Sequence, residues 1–248
     1  KEGRPVGLVR GLTADGFYTT DDFTYENGVY TLKEGVADVS SAVFPNYHLH
    51  NGMNERPAGQ LAYPGMAKFK DLNDDGIIND DDVDVIGDMT PVHTGGFNIN
   101  ATYKNFDLGV FFNGSAKRKI MINSGIAPFL SGGGDGEEAE TLARNLMQWI
   151  ADDHWSVDNP NPNAAYPRLG LTKADVTNNV QPSTFWLRNG NFLRFKTLEI
   201  GYRLPYCRIY LSGDNLAVFS PFKLWDPELA WNAYPLSRTF NLGVQFTF

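Results

Sequence analysis

Apolar and polar residues alternate with a period of two through several stretches of the second half of the chain. In GFNINATYK, Phe97, Ile99, Ala101 and Tyr103 interleave with Asn98, Asn100, Thr102 and Lys104. In FDLGVFFNG, Phe106, Leu108, Val110 and Phe112 share one face, with Asp107, Gly109 and Asn113 on the other. Successive side chains of a strand point to opposite faces, so this predicts two antiparallel strands joined by a tight turn at Lys104–Asn105. LEIGYRL predicts a third strand, with Leu198, Ile200, Tyr202 and Leu204 opposite Glu199, Gly201 and Arg203. Leu193 and Phe195 fall in the other phase, which requires a bulge or an exit from the layer near Thr197. After a short turn at Pro205, RIYLSGDNL alternates again, and SRTFNLGVQFTF closes with Phe240, Leu242, Val244, Phe246 and Phe248 in phase. The reading is all-β and antiparallel, with about five strands.

A soluble sandwich also alternates, but its apolar face is usually rich in Val, Ile and Leu. Three features favour a transmembrane barrel instead. The strands are about ten residues long, with one apolar face and one polar or glycine face. Their connections alternate in length: tight at Lys104–Asn105 and Leu204–Tyr206, long at Ser115–Gly190 and Phe219–Leu236. Tyr103, Phe106, Tyr202, Tyr206 and Phe248 gather near the short turns, as an interfacial girdle would. Short turns are periplasmic and long loops extracellular in such barrels. The C-terminus is then periplasmic, and residues 1–94 form an extracellular loop region ahead of barrel strands and loops in 95–248. Five strands leave two open edges, which hydrocarbon does not tolerate, so other strands must close the barrel. VGLVRGLTADGFYTT could add one strand but not the three that the smallest barrel needs.

The first part of the chain carries a different pattern. DLNDDGIINDDD places Asp71, Asn73 and Asp75 at positions one, three and five of a twelve-residue loop. Gly76 stands at six, where the backbone turns sharply, Ile77 offers its carbonyl at seven, and Asp82 closes at twelve. This is the EF-hand spacing, with Asp where Glu is usual, and its all-oxygen donor set suits a structural Ca2+. Ile78, at eight, is apolar where such a loop pins to its surroundings. The competing reading is an acidic, solvated turn. Extracellular modules use calcium structurally, so a single unpaired loop is acceptable there.

Composition removes other classes. The net charge is −8, and no basic run or RNA-binding motif appears, which argues against nucleic acid. The single Cys207 forms no internal disulfide, and no run approaches the length of a membrane helix. The first residues, KEGRPVGLVRG, lack a signal-peptide pattern, so a leader has been removed or the natural start lies elsewhere. SGGGDGEE lacks the Lys-Ser/Thr of a phosphate loop. EEAETLARNLMQWI places Leu142, Leu146 and Ile150 at helical spacing and predicts a short loop helix. Asp152, Asp153 and His154, or His48 and His50, lack the zinc or catalytic spacings, so no enzyme is expected. The prolines and asparagines of NPNPNAAYPRL predict an ordered loop, and the five tryptophans lie in or beside loops, where buried packing is their commoner role.

Seven blocks in order carry a resemblance: RPVGLVRGLTADGFY, KFKDLNDDGIINDDDVDVIGDMTPVHTGGFNINATYKNFDLGVFFNGS, NPNAAYPRL, STFWLRNGNFLRFKTLEIGYRLP, RIYLSGDNLAVFS, WDPELA and YPLSRTFNLGVQFTF. Together they resemble the C-terminal barrel region of SusC/RagA-type TonB-dependent outer-membrane transporters, a family of Bacteroidetes. The resemblance implies part of a 22-stranded barrel in the bacterial outer membrane. It also implies partners: the remainder of the barrel and its plug, a SusD-like surface lipoprotein as lid, the TonB complex, outer-membrane lipid, and a glycan or oligopeptide as substrate. The alternative from a different class is a secreted, calcium-stabilised β-sandwich that binds carbohydrate.

Overall fold

The computed structural model describes residues 7–40, 56–57, 59–130, 146–170, 176–230 and 233–247. Its strands up to residue 103 are β1 (Leu8–Gly11), β2 (Ala14–Phe17), β3 (Phe23–Glu26), β4 (Val29–Leu32), β5 (Asp38–Val39), β6 (Ala67–Phe69), β7 (Ile77–Ile78), β8 (Asp84–Asp88) and β9 (His93–Tyr103). There follow β10 (Phe106–Ala116), β11 (Lys119–Met121), β12 (Leu187–Asn189), β13 (Phe192–Arg203), β14 (Cys207–Phe219) and β15 (Thr239–Phe246). Among the described residues the α-helices are the single turns α1 (Asn123–Ile126) and α2 (Gln148–Ala151). The chain divides into two compact units, one built on Asp88–Ile120 and Arg188–Phe248, the other on Val9–Gly87 and Met121–Leu187.

The first unit is a five-stranded antiparallel sheet in the order β15-β14-β13-β10-β9. The turn between β9 and β10 falls at Lys104, whose φ of 53° lies in the left-handed region. The turn between β13 and β14 is closed by Leu204 N–H donating to Cys207 O at 2.7 Å. Cross-strand registers align the apolar positions in rows: Tyr103, Phe106, Tyr202, Ile209 and Val244, then Ala101, Leu108, Ile200, Leu211 and Leu242. A bulge between Phe195 and Thr197 makes Lys196 the extra residue. It brings Phe195 back into the apolar layer, where Phe97, Phe112 and Phe195 stack at 4.8 and 4.7 Å. The phase break read from the sequence is this bulge.

The apolar layer is exposed among the described residues. Phe97 is 49% exposed, Ile200 43% and Val244 51%, so the face stands open where a sandwich would bury it under a second sheet. The expected N-terminal strand is not added to this sheet: β1 pairs with β8 instead. With four residues, β1 is far too short to span hydrocarbon.

The second unit has a conventional buried core of Leu12, Tyr18, Phe23, Val39, Tyr63, Met66, Phe69 and Ile78. The β3–β4 hairpin turns through Asn27 and Gly28, both at positive φ, which matches the twist of the flanking strands. Gly65, at φ 86°, packs so closely on the Trp155 ring that no Cβ fits. Asn179 Oδ1 accepts from Ala67 N–H at 2.8 Å, and Asn178 Nδ2 donates to Ala67 O at 2.8 Å, so these two buried amides fix β6. Trp155 and Trp186 are buried, as loop packing predicts; Trp149 is exposed. Trp231, His48, His50, Leu142, Phe248 and the SGGGDGEE stretch lie outside the described residues. Within them, the expected loop helix is the single turn α2, with Ile150 buried and Leu146 exposed.

Tyr18 is fully buried and donates to Ala37 O at 2.6 Å. Burial pushes its hydroxyl far above the usual tyrosine range, and Asp38, Asp22 and Asp15 push the same way. A raised folded value means the neutral phenol stabilises the fold below about pH 10. That contribution is lost as the pH climbs beyond the unfolded value toward the folded one. Alkaline unfolding of this unit therefore starts above about pH 10 and is shifted upward in Tyr18→Phe, as read by tyrosinate absorbance against circular dichroism.

Candidate functional site

Two places in the molecule carry candidate chemistry. The first is the acidic loop. Asp71 accepts from Gly76 N–H at 2.7 Å and from Asp75 N–H at 3.3 Å. Asn73 Oδ1 also accepts from Asp75 N–H at 3.2 Å, and its amide donates to Asp75 Oδ2 at 3.0 Å. Asp71, Asn73 and Asp75 are thus drawn together around the turn that Gly76 makes at φ 85°. Ile77 is exposed and donates its N–H to Asp75 Oδ1. Ile78 is buried, and β7 pairs in parallel with β5, with Ser40 N–H donating to Ile78 O. The loop is pinned at its eighth position, as the pattern predicts.

Asp82 lies apart in character. It is 0% exposed, and its two oxygens accept from Leu72 N–H at 2.7 Å and Asn79 N–H at 2.8 Å. From the third position of the short 3-10 turn Asp80–Asp82 it completes the capping box that Asn79 begins, and it ties the loop's start to its end. Among the described residues no three side chains of His, Cys, Asp or Glu converge as a metal-holding group. The donor set still fits a hard cation on chemical grounds. A carboxylate offers about four lone-pair sites, and the two N–H groups occupy two of those on Asp82. A fully buried carboxylate is normally paired or bound to metal, and no ion pair is formed by Asp82 among the described residues.

The second place is the polar face of the five-stranded sheet. Near the short turns, Arg208 pairs with Asp107 and, at 2.7 Å, with Glu199; Arg203 reaches Asp107 at 3.3 Å. Gly201 and Gly243 leave the room in which Arg208 and Tyr210 lie flat on the sheet. Toward the long connections, Arg194 is 2% exposed. Its guanidinium donates to Asp226 at 2.6 and 2.8 Å and to Glu228 at 2.5 Å. Both acids belong to the loop after β14, which Arg118 also holds through Pro227 O at 2.6 Å. Alternation predicts that Arg194 faces the polar side, but its partners lie 32 and 34 residues away, beyond what periodicity can pair.

Asp152, Asp153 and His154 end α2 and form no catalytic cluster: Asp152 accepts from Gln148, and His154 Nδ1 meets Ala151 O at 2.8 Å. In NPNPNAAYPRL, Asn161 accepts from Asn163 N–H and Ala164 N–H, an ordered pair of turns. No helix among the described residues is long and apolar enough to cross a membrane, a test that does not bear on strands.

No family model matches the chain. It is 27% identical over 274 residues to the TonB-dependent receptor P3 of Formosa agariphila, covering 100% of this chain and 23% of that protein. It is 29% identical over 209 residues to the TonB-dependent receptor P26 of the same organism, covering 74% of this chain and 20% of that protein. Among solved structures, a chain of the RagAB peptide importer in its closed-closed state matches with a TM-score of 0.59 at 22% identity, over 96% of this chain and 23% of that one. The open-open state matches at 0.55 and 21%, over 96% and 22%. The chain spans less than a quarter of each of these proteins. Sequence and fold thus agree with the residue blocks: the chain is similar to a C-terminal-type barrel stretch of TonB-dependent receptors of the SusC/RagA kind.

Proposed function

We propose that this chain is part of an outer-membrane transporter that imports glycans or oligopeptides with energy from the TonB complex. The open apolar face carries this reading. Five strands carry aromatic and aliphatic side chains on one face and charged, amide and glycine positions on the other. In water such a face would be an aggregation liability; in a bilayer it is the required surface. Both edges, β9 and β15, are unpaired within the sheet, so strands outside this sheet complete the barrel around a plug. Short turns then face the periplasm, long connections face outward, and a SusD-like lipoprotein lies over them. The named relatives are receptors and importers, which fits a role without catalysis. The test is fractionation of cells producing the full-length protein that contains this segment. Recovery in the outer membrane, released only by detergent, is the expected result; a freely soluble periplasmic or secreted protein overturns the reading.

The buried, unneutralised Asp82 favours one addition: a structural Ca2+ held by Asp71, Asn73, Asp75, the Ile77 carbonyl and Asp82. The ion would supply charge neutralisation and brace the outer loop region, with no part in transport chemistry. Chelation, or Asp71→Ala, then speeds proteolytic nicking within residues 71–82 by roughly tenfold while the sheet's thermal transition stays in place. Equal nicking rates with and without chelator would count against the metal.

A further inference from the structure

At the end of the apolar layer farthest from the Lys104 turn, the side chains give way to a furrow. The stacked rings of Phe97, Phe112 and Phe195 form a ridge along one side of it. The next ladder row is Gly95, Gly114 and Leu193, so two neighbouring strands carry no side chain there. The row beyond pairs His93 with Ala116. The result is a concavity of about 410 Å³, whose lining includes His93, Gly95, Phe97, Phe112, Gly114 and Leu193. All of these belong to the unit that holds the five-stranded sheet.

The two glycines answer to different demands. A Cβ on Gly114 would stand 2.7 Å from Phe192 O, so packing within this chain keeps that position bare. A Cβ on Gly95 would meet nothing within 4 Å, and its φ is not positive. A glycine inside a strand weakens it, since it loses the most backbone entropy and packs nothing. Such a glycine marks a bulge or the close approach of something else. No bulge lies at Gly95: the β9–β10 register runs unbroken from Tyr103 to His93. The close approach remains. The ridge of rings and Leu193 select an apolar occupant, and the far end of the furrow is basic. His93 lines it, Lys117 follows Ala116 directly, and Lys119 stands two residues on. All three are exposed, and none forms an ion pair among the described residues. In a chain of net charge −8, this uncommitted basic group complements an anionic head group. On the transporter reading this end lies in the outer leaflet, which in bacterial outer membranes is built of a phosphorylated glycolipid, lipid A. A side chain from an adjoining strand would fill the apolar slot but leave the bases unanswered.

We infer that the furrow holds one acyl chain of an outer-leaflet lipid A, whose phosphate is met by His93, Lys117 and Lys119. The inference rests on the transporter reading and adds a fixed lipid site to its surface. The test is native mass spectrometry of the full-length protein in mild detergent. The probes are lipid A, lipid A stripped of its phosphates, and phosphatidylethanolamine. Lipid A is expected to be retained in preference to both others. Gly95→Phe fills the slot with a residue suited to strands and lowers retention about tenfold. Because the new Cβ meets no atom within 4 Å, the melting temperature in detergent stays the same or rises. Joint Lys117→Gln and Lys119→Gln abolishes the preference for the phosphorylated lipid. Equal retention by the parent protein and Gly95→Phe overturns the site. A lowered melting temperature of Gly95→Phe shows that a neighbouring strand already fills the slot, and overturns it too. Stripped lipid or phosphatidylethanolamine held as firmly as lipid A overturns the choice of occupant, as does a preference that survives loss of both lysines. Retention of no lipid overturns the site outright, while detergent-dependent outer-membrane recovery still judges the transporter reading separately.

Discussion

Val110→Arg prevents the sheet from assembling in a bilayer, while Asn100→Arg, one ladder row away, leaves it intact. Val110 sits mid-strand between Ile99 and Leu198, in the apolar layer. An arginine at the middle of a lipid-facing strand costs about 2–4 kcal/mol. That is a large part of the ~5–15 kcal/mol that holds a typical domain together. Asn100 is paired with Gly109, which in turn is paired with Glu199, so an added guanidinium there meets a wet face and a nearby carboxylate. The two substitutions add the same charge one row apart, so only the direction of the side chain differs. Outer-membrane yield and heat-modifiable migration of the full-length protein in gels separate them. Equal behaviour of the two would remove the assignment of the faces, and with it the barrel.

That assignment is the feature most legible in the sequence, for a physical reason. A strand with two different solvents on its faces must alternate strictly, so the pattern from Phe97 to Phe112 and from Leu198 to Leu204 reports the environment directly. Even the departure at Lys196 was readable, because a bulge shifts the phase of everything upstream. The turns were readable where the connection is too short to do anything else. The long connections were not. Residues 121–187 join 9–87 in a unit whose core mixes partners far apart in sequence, such as Asn179 with Ala67 and Leu12 with Ser183. No local period encodes such pairings. The acidic loop lies between these cases. Its spacing marks Asp71, Asn73 and Asp75, which do gather, and Ile78, which is pinned. It does not reveal that Asp82 is buried and already binds two backbone N–H groups. Asn113 was visible only as a polar-face position and Ser115 only as the start of a long connection, because the orphaned oxygen that each carries becomes apparent only once every neighbour is in place.

Arg194 is the second residue whose loss should be felt strongly. Its guanidinium is almost wholly buried on the polar face and binds Asp226 through two bonds and Glu228 through one. Removing one member of a buried ion cluster costs about 3–5 kcal/mol, because the charges left behind keep their desolvation without their partner. Glu228 is 30% exposed and regains some water, which places Arg194→Met near 3 kcal/mol. The damage should be local. The β10–β13 and β13–β14 ladders do not use this side chain, so the sheet persists. The loop from Ser220 to Ala230 loses its main tether and keeps Arg118 on Pro227 O, Asn113 on Glu228 and Ser220 Oγ on Asn191 O. Limited proteolysis of the full-length protein should therefore show new cleavage between residues 220 and 230, with the outer-membrane yield little changed. Arg194→Lys should not rescue it, since a single ammonium cannot reproduce the planar fork that holds two acids at once. Joint replacement of Arg194, Asp226 and Glu228 by apolar residues of similar volume should restore much of the stability, because no unpaired charge is then left buried. Cleavage of the triple variant as fast as that of Arg194→Met would overturn this account of the cluster.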